Sequence, residues 1–193
     1  MPENPAKPTP GQALERLTGI KLLSLDVDGV LTDGGIYYAD DGNTFRKFNA
    51  QDGMGLVRLR KSGVAVTIIS AGAPGAIEHR GRRLGIEHVF TDVSDKLATL
   101  GSLAGELGLN MDEVAHMGDD VNDLPLMQAS GLAVASANAV PEVMEAAEIV
   151  TTLRGGDGAV RELCDAILKA RGQALETNHV FDSHLPGEGK GGT

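Results

Sequence analysis

Residues 20–32 read Ile-Lys-Leu-Leu-Ser-Leu-Asp-Val-Asp-Gly-Val-Leu-Thr. The run is aliphatic as far as Leu25 and then offers two aspartates, Asp26 and Asp28, before a glycine. An aliphatic run of this kind predicts a strand buried on both faces of a parallel sheet. Carboxylates at the end of a buried strand are costly unless a metal or an anion uses them. We therefore expect a functional site where this strand ends.

Beyond this strand, the chain alternates between aliphatic runs and helical patterns. Two short runs, 35–39 and 44–48, are joined by Asp-Asp-Gly-Asn and predict a β-hairpin. The later strand-like runs are 64–70, 88–91, 113–117, 131–135 and 148–151. This order predicts an α/β fold: a Rossmann-like open parallel sheet with helices on both faces and a small β-hairpin inserted after the first strand. We expect one domain over 11–171, between a flexible N-terminal tail, 1–10, and a flexible C-terminal tail, 172–193.

Composition narrows the function classes. The formal net charge is −10 at pH 7, which disfavours nucleic acid and anionic membranes as partners. The chain has one cysteine, Cys164, so no intramolecular disulfide is expected, and its apolar neighbours predict a buried thiol. The first residues carry no apolar run typical of a signal peptide, so we expect a cytoplasmic protein. A phosphorylated substrate would need cations supplied locally at the site.

In open α/β sheets, ligands bind beyond the carboxyl ends of the strands. The polar residues at the predicted strand ends are Asp26, Asp28 and Thr32, then Ser70, Lys96, Asp119, Asp120 and Asp123. If neighbouring strands bring these carboxylates together, Mg²⁺ is the expected cation, because it prefers oxygen ligands.

A carboxylate beside Mg²⁺ can attack phosphorus, and a second carboxylic acid can protonate the leaving oxygen and then activate water. Asp26 and Asp28 fit these two roles in that order. The hydroxyl of Thr32 or Ser70, the ammonium of Lys96 and backbone N–H groups are candidate donors to the phosphoryl oxygens.

These residues also carry a resemblance. Asp26-x-Asp28-Gly-x-Leu-Thr, Ser70, Lys96 and Gly-Asp119-Asp120-x-x-Asp123 resemble, in order, the four motifs of the haloacid dehalogenase superfamily. Residues 26–38, 47–55 and 155–162 are similar to its capless branch, which includes the 3-deoxy-D-manno-octulosonate (KDO) 8-phosphate phosphatases and the nonulosonate 9-phosphate phosphatases. The resemblance covers roughly residues 20–171.

Membership would imply Mg²⁺ bound by Asp26, the carbonyl of Asp28 and Asp119, with Asp120 and Asp123 supporting these ligands. It would also imply a homotetramer in which the hairpin at 34–47 meets its symmetry mates and a neighbouring subunit closes each site. A C-terminal tail could then help to cover the neighbour's pocket.

The substrate is expected to be a small phosphorylated sugar acid, first of all KDO 8-phosphate. The candidate substrate-binding residues are Thr32, Lys47, Arg80 and Arg154. One departure concerns the second strand end, where relatives acting on KDO 8-phosphate usually show Thr-Gly-Arg and this chain has Ser70-Ala71-Gly72. An N-acylneuraminate 9-phosphate phosphatase, or a related phosphatase of other specificity, is the alternative.

Two other functions fit the residues less well. A receiver-type signalling module uses similar residues, but Asp28 argues against it because an acid/base group would discharge the phosphoryl group. A mutase or an enzyme for large substrates is disfavoured because the chain has no room for a cap domain. Asp33 is consistent with simple turn chemistry, and Asp52 is either the N-cap of the helix that it opens or a residue of the substrate site.

Overall fold

The computed structural model describes residues 10–42 and 44–173, with side chains from residue 15 onward. Eight strands and seven α-helices follow one another in these residues. The strands are β1 Leu22–Leu25, β2 Tyr37–Tyr38, β3 Thr44–Phe45, β4 Ala65–Ile69, β5 His88–Phe90, β6 Val114–Gly118, β7 Leu132–Ala135 and β8 Ile149–Val150. The helices are α1 Pro10–Gly19, α2 Ala50–Lys61, α3 Ala76–Leu84, α4 Lys96–Glu106, α5 Leu124–Ala129, α6 Pro141–Ala146 and α7 Ala159–Ala170.

Six of the strands form one parallel sheet in the order β5-β4-β1-β6-β7-β8. Strand β1 is central, and Leu25 lies opposite Ile68 of β4 and Met117 of β6. This register brings the ends of the three strands to one edge of the sheet. The predicted open parallel α/β fold is confirmed, and the strand ends that the sequence singled out are spatial neighbours.

Helices cover both faces of the sheet, as the aliphatic strands require. Along β1, Leu23 and Leu25 pack in the core that α1, α2, α3 and α7 complete. Leu22 points to the other face, where it packs with residues of α4 and α5. The predicted thiol Cys164 is fully buried in the first of these cores. Because both faces are covered, polar side chains can reach solvent mainly at the ends of the strands.

Strands β2 and β3 form the predicted hairpin, in which Tyr37 pairs with Phe45 and Tyr38 with Thr44. A further antiparallel bridge joins Thr32 to Phe48. The paired segments are shorter than the two runs that the sequence suggested. The side chains of these four paired residues are exposed, so there is little side-chain packing to stabilise longer strands.

The predicted tails at the two ends of the chain are tested only in part by the structure. Helix α1 was not among the predicted elements, and it begins at Pro10, the last residue of the predicted N-terminal tail. The rest of that tail, 1–9, and residues 174–193 of the predicted C-terminal tail lie outside the described residues. Within the described part of the chain, none of the helices has both the length and the apolar character needed to span a bilayer.

Candidate active site

A cavity of about 260 Å³ opens at the carboxyl edge of the sheet. Its lining comes from the loops that follow β1, β4 and β6, and consists of Asp26, Asp28, Gly34, Ser70, Ala71, Gly72, Asp119, Asp120 and Asn122. Four of these nine residues are aspartates. The structure thus brings together most of the residues that the sequence predicted for catalysis and metal binding.

Lys96, the first residue of α4, lies against this cluster of carboxylates. Its Nζ is 2.9 Å from Asp26 Oδ1 and 2.8 Å from Asp123 Oδ1, and all three side chains are buried. Burial alone would lower the pKa of Lys96, but the negative charges of Asp26 and Asp123 outweigh it, and the pKa is raised. Lys96 therefore remains a fixed positive charge beside Asp26.

Burial and like charges act together on two of the aspartates. Desolvation, and then the charge of Asp123, raise the pKa of Asp26 to about 6 despite the nearby Lys96. Desolvation and the charges of Asp26 and Asp123 raise the pKa of Asp119 to about 7. The site thus concentrates more negative charge than Lys96 alone can balance.

A divalent cation fits this arrangement. Asp26, Asp119 and Asp123 can each present a carboxylate oxygen within 4.8 Å of the other two. Asp119 Oδ1 is buried and accepts no hydrogen bond from the protein. By contrast, both oxygens of Asp123 are occupied, Oδ1 by Lys96 and Oδ2 by the backbone N–H of Asp119 at 3.1 Å. Asp26 and Asp119 are thus placed to bind a metal, and Asp123 to hold the loop that carries Asp119.

His116 belongs to the same network, which the sequence did not reveal. Its Nδ1 lies 3.0 Å from Ser24 Oγ, and its Nε2 lies 3.4 Å from Asp123 Oδ1. Burial by itself would raise the pKa of Asp123, but the contacts with His116 and Lys96 lower it below its ordinary value. The sequence predicted only a core or interface histidine, because His116 sits in an otherwise apolar strand.

The loop after β1 is in close contact with the loop after β6 and with the loop after β7. Gly29 has φ +90° and lies so close to Asp119 that a Cβ there would be 1.9 Å from Asp119 Oδ2. Its carbonyl accepts hydrogen bonds from Ser136 Oγ and Asn138 Nδ2, at 3.1 and 2.9 Å. Only glycine combines this backbone conformation with such a close approach.

The loop that precedes α7 packs against the same segment. A Cβ at Gly155 would lie 1.8 Å from the carbonyl oxygen of Gly29, and one at Gly156 would lie 2.3 Å from the backbone nitrogen of Asp33. Both contacts are with backbone, which cannot move aside as a side chain can. This glycine pair therefore supports the loop that carries Asp26 and Asp28.

Asp28 has a partner that the sequence did not predict. Arg46, the residue after β3, donates from Nε to Asp28 Oδ1 at 2.8 Å and from Nη2 to Asp28 Oδ2 at 3.1 Å. The Arg46 side chain is only 7% exposed. The two residues are 18 positions apart in the sequence and meet because the chain returns from the hairpin to the loop after β1.

The hydroxyl groups predicted to bind substrate differ in position. Ser70 lines the cavity, and its Oγ accepts a hydrogen bond from the backbone N–H of Gly72 at 3.0 Å. Thr32 is fully buried, and its Oγ1 donates to the Val27 carbonyl at 3.3 Å and accepts from Gly34 at 3.2 Å. Thr32 thus bonds within its own loop.

The three cations predicted to bind substrate lie outside the cavity lining. Lys47 is exposed, and its Nζ lies 3.5 Å from Asp33 Oδ2. Arg80 donates to the Asn49 carbonyl at 2.8 Å and lies over the ring of Phe48. Arg154 is exposed in the loop before α7. Contacts of these residues with substrate remain predictions.

Asp52 is buried, and its Oδ1 accepts a hydrogen bond from the backbone N–H of Arg161 at 2.8 Å. Arg161 lies in the first turn of α7, whose N-cap residue, Gly158, has no side chain to supply this acceptor. Asp52, in the first turn of α2, therefore caps a different helix from the one the sequence suggested. Its contact is structural.

Comparison with known proteins agrees with this geometry. Residues 84–163 match the haloacid dehalogenase-like hydrolase family. The chain is 41% identical to the 3-deoxy-D-manno-octulosonate 8-phosphate phosphatase of Yersinia pestis over 164 residues, which cover 85% of this chain and 88% of that protein.

Two solved structures give the same result. The Moraxella catarrhalis 3-deoxy-D-manno-octulosonate 8-phosphate phosphatase, in complex with magnesium, phosphate and KDO, has TM-score 0.83 and 35% identity, covering 85% of this chain and 94% of its own. The cobalt-bound Haemophilus influenzae deoxy-D-mannose-octulosonate 8-phosphate phosphatase has TM-score 0.79 and 35% identity, covering 81% and 92%. The chain therefore belongs to the KDO 8-phosphate phosphatase family of the haloacid dehalogenase-like hydrolases.

Proposed function

We propose that this protein is a Mg²⁺-dependent phosphomonoesterase that hydrolyses KDO 8-phosphate through an aspartyl-phosphate on Asp26. The observation that carries the proposal is the buried cluster in which Lys96 contacts Asp26 and Asp119 presents an unpartnered carboxylate oxygen. Relatives named for this activity at about 40% identity over most of the chain support the substrate.

In the first step, a carboxylate oxygen of Asp26 attacks phosphorus, and the bond from phosphorus to the sugar oxygen breaks. Lys96 holds the Asp26 carboxylate in place and offsets charge on the phosphoryl oxygens. Asp28, two residues further along the same loop, gives a proton to the leaving sugar oxygen. In the second step, Asp28 takes a proton from water, which attacks the aspartyl-phosphate and releases inorganic phosphate.

The metal site follows from the same loops. We assign Asp26, the carbonyl of Asp28 and Asp119 as the ligands of Mg²⁺, with Asp120 and Asp123 positioning them. When bound, the ion neutralises charge on the phosphoryl group and on the aspartates. The remaining polar contact with the phosphoryl group is assigned to Ser70, which lines the cavity, whereas Thr32 holds the loop.

Self-association is the second part of the proposal. The hairpin exposes Ile36, Tyr37, Tyr38 and Phe45, with 47–73% of each residue accessible. Four large apolar residues at one tip are costly in water and typical of an interaction surface. We propose that the hairpins pack together in a homotetramer and that a neighbouring subunit walls the open cavity. A cytoplasmic location remains a prediction from the sequence.

The decisive assay measures phosphate release from KDO 8-phosphate and from N-acetylneuraminate 9-phosphate, each with Mg²⁺ and with EDTA. We expect rapid, EDTA-sensitive release from KDO 8-phosphate and none from the Asp26→Asn variant, which should still fold. Release from Asp26→Asn at the wild-type rate would exclude the aspartyl-phosphate mechanism. Preferential release from the nine-carbon substrate would establish the alternative specificity.

A further inference from the structure

The sugar acid brings two anionic groups to this protein, a phosphate and a carboxylate at opposite ends of the carbon chain. The metal site and Lys96 meet the phosphate, as proposed above. The carboxylate needs its own cation, yet the residues described as lining the cavity include four aspartates and no Lys or Arg. In a chain of net charge −10, that cation must be built into the site.

Arg46 adjoins the cavity through two of its lining residues. Its guanidinium bonds both oxygens of Asp28 in a fork-to-fork pair, and Asp28 lines the cavity. Its Nη2 also lies 2.8 Å from the position that a Cβ of Gly72 would occupy, and Gly72 lines the cavity as well. The guanidinium therefore lies at the rim, between the loop after β1 and the loop after β4.

Positions 46 and 72 are sterically coupled. Any side chain at residue 72 would begin within contact distance of Arg46 Nη2, Ser70 Oγ and Asp28 Oδ2, at 2.8, 3.1 and 3.2 Å. The absence of a side chain at Gly72 thus leaves the space that the guanidinium of Arg46 occupies. One cation at this rim can come from the hairpin or from the loop after β4, but both cannot occupy the same space.

We infer that Arg46 binds the carboxylate of the substrate, supplying from the hairpin the guanidinium that Gly72 cannot supply. Arg46 now holds a carboxylate of the protein, and the substrate offers a second carboxylate for the same planar pair of donors. Exchange of one carboxylate for the other keeps the number of ion pairs constant. It also frees the oxygens of Asp28 to meet the leaving sugar oxygen. Arg46 is therefore a specificity residue, and the inference rests on the proposed function.

The test compares a substrate that has a carboxylate with one that lacks it. KDO 8-phosphate and p-nitrophenyl phosphate are assayed with wild type, Arg46→Ala and Arg46→Lys. Arg82→Ala is the matched control, because Arg82 is exposed and pairs only with Glu78 in the described structure. Removing Arg46 should lower kcat/KM for KDO 8-phosphate by on the order of 10²-fold, mainly through KM, because a charged pair loses one partner.

The loss for p-nitrophenyl phosphate should be clearly smaller, because that substrate has no carboxylate. Arg46→Lys should fall between wild type and Arg46→Ala, because an ammonium keeps the charge but not the two parallel donors. Equal losses on both substrates would show that Arg46 serves only Asp28, and would overturn the inference. No loss on either substrate would overturn it as well.

A second pair of variants tests the steric coupling. Gly72→Arg alone should impair turnover of KDO 8-phosphate, because two guanidinium groups then compete for the same space. The double variant Gly72→Arg/Arg46→Ala should regain part of the activity that Arg46→Ala loses, because a guanidinium again occupies the rim. Melting curves identify variants that fail to fold, and a folded double variant without any recovery counts against the inference.

Failure of the proposed substrate and failure of the role of Arg46 give different results. Wild type that hydrolyses p-nitrophenyl phosphate but not KDO 8-phosphate would overturn the proposed substrate, and the carboxylate role with it. A second outcome is that wild type hydrolyses both substrates and that Arg46→Ala leaves the ratio of their kcat/KM values unchanged. This outcome would leave the proposed function standing and overturn only the role of Arg46.

Discussion

At the scale of single residues, the titration of the site follows from its crowded carboxylates. The pKa of Asp26 is raised to about 6 and that of Asp119 to about 7, against 3.8 for an ordinary aspartate. Between the ordinary value of 3.8 and these raised values, the folded protein binds more protons than the unfolded chain, so the free energy of unfolding falls as pH rises. The lowered pKa of Asp123 acts only at more acidic pH.

In EDTA, we therefore expect the melting temperature to rise as pH falls from about 7.5 to about 5. The rise should amount to several degrees, since a domain of this size shifts by about 2–4 °C for each kcal/mol. Asp119→Asn should reduce the slope, because it removes the carboxyl group with the higher pKa. Saturating Mg²⁺ should flatten it in wild type. A melting temperature that falls over the same interval would contradict this account of the site.

Lys96 is the second residue whose charge decides the behaviour of the site. Lys96→Ala leaves Asp26 and Asp123 buried without their shared cation, so we expect turnover to fall by on the order of 10²-fold. The melting temperature in EDTA should fall as well, because breaking a buried ion pair leaves an uncompensated charge. Lys61→Ala, at an exposed position of α2, is the control. Turnover within the range of that control would show that Lys96 is dispensable.

At the scale of the elements, helices α2 and α7 depend on one another. A Cβ at Gly55 of α2 would meet Arg161 and Cys164 of α7 at 3.0–3.2 Å, so the two helices pack closely. Asp52 of α2 then supplies the cap that the N-terminus of α7 lacks. The pair forms much of the cover over one face of the sheet.

Asp52→Ala should lower the free energy of unfolding by about 1 kcal/mol, the usual cost of losing a cap side chain. Asp52→Asn should retain most of the stability, because its amide oxygen can still accept from Arg161. Asp157→Ala removes an exposed aspartate just before the same helix and is the matched control. Denaturant unfolding monitored by circular dichroism measures all three. Equal effects of the Asp52 and Asp157 substitutions to alanine would argue against the cap.

The sequence predicted the elements of the sheet well, because their signals are local. The aliphatic run before Asp26 and the hairpin punctuation near Gly42 depend on neighbours in the chain. The cap at Asp52 could not be predicted, because its partner Arg161 lies 109 positions away. The pairing of Arg46 with Asp28 could not be predicted either, because the hairpin separates these two residues in the sequence. The burial of His116 was predicted, but its contacts were not, because a polar residue in an apolar strand gives no sign of what it contacts.

At the scale of the whole molecule, the hairpin is the feature that a single chain leaves unexplained. Its exposed aromatic residues and the open cavity beside it would both be covered by a second copy. The prediction is that wild type sediments as a tetramer, whereas Tyr38→Asp and Phe45→Asp shift it toward monomer. We expect turnover to fall in parallel, because each cavity loses a wall.

Leu107→Asp is the control for these variants, since Leu107 is also partly exposed but lies outside the hairpin. Sedimentation velocity and phosphate release are measured on the same samples. A wild-type monomer with full activity would refute the tetramer, and dissociated variants with unchanged turnover would show that the neighbouring subunit adds nothing to the site.

The glycine pair at 155 and 156 has a consequence for how this protein tolerates genetic variation. Neither residue has a side chain that could touch a ligand, yet any Cβ there would collide with the backbone of residues 29–33. In a library of all single substitutions selected for phosphatase activity, these two positions should be as depleted of variants as Asp26 itself. A ranking by intolerance alone would therefore group two supporting glycines with the chemical groups that they position.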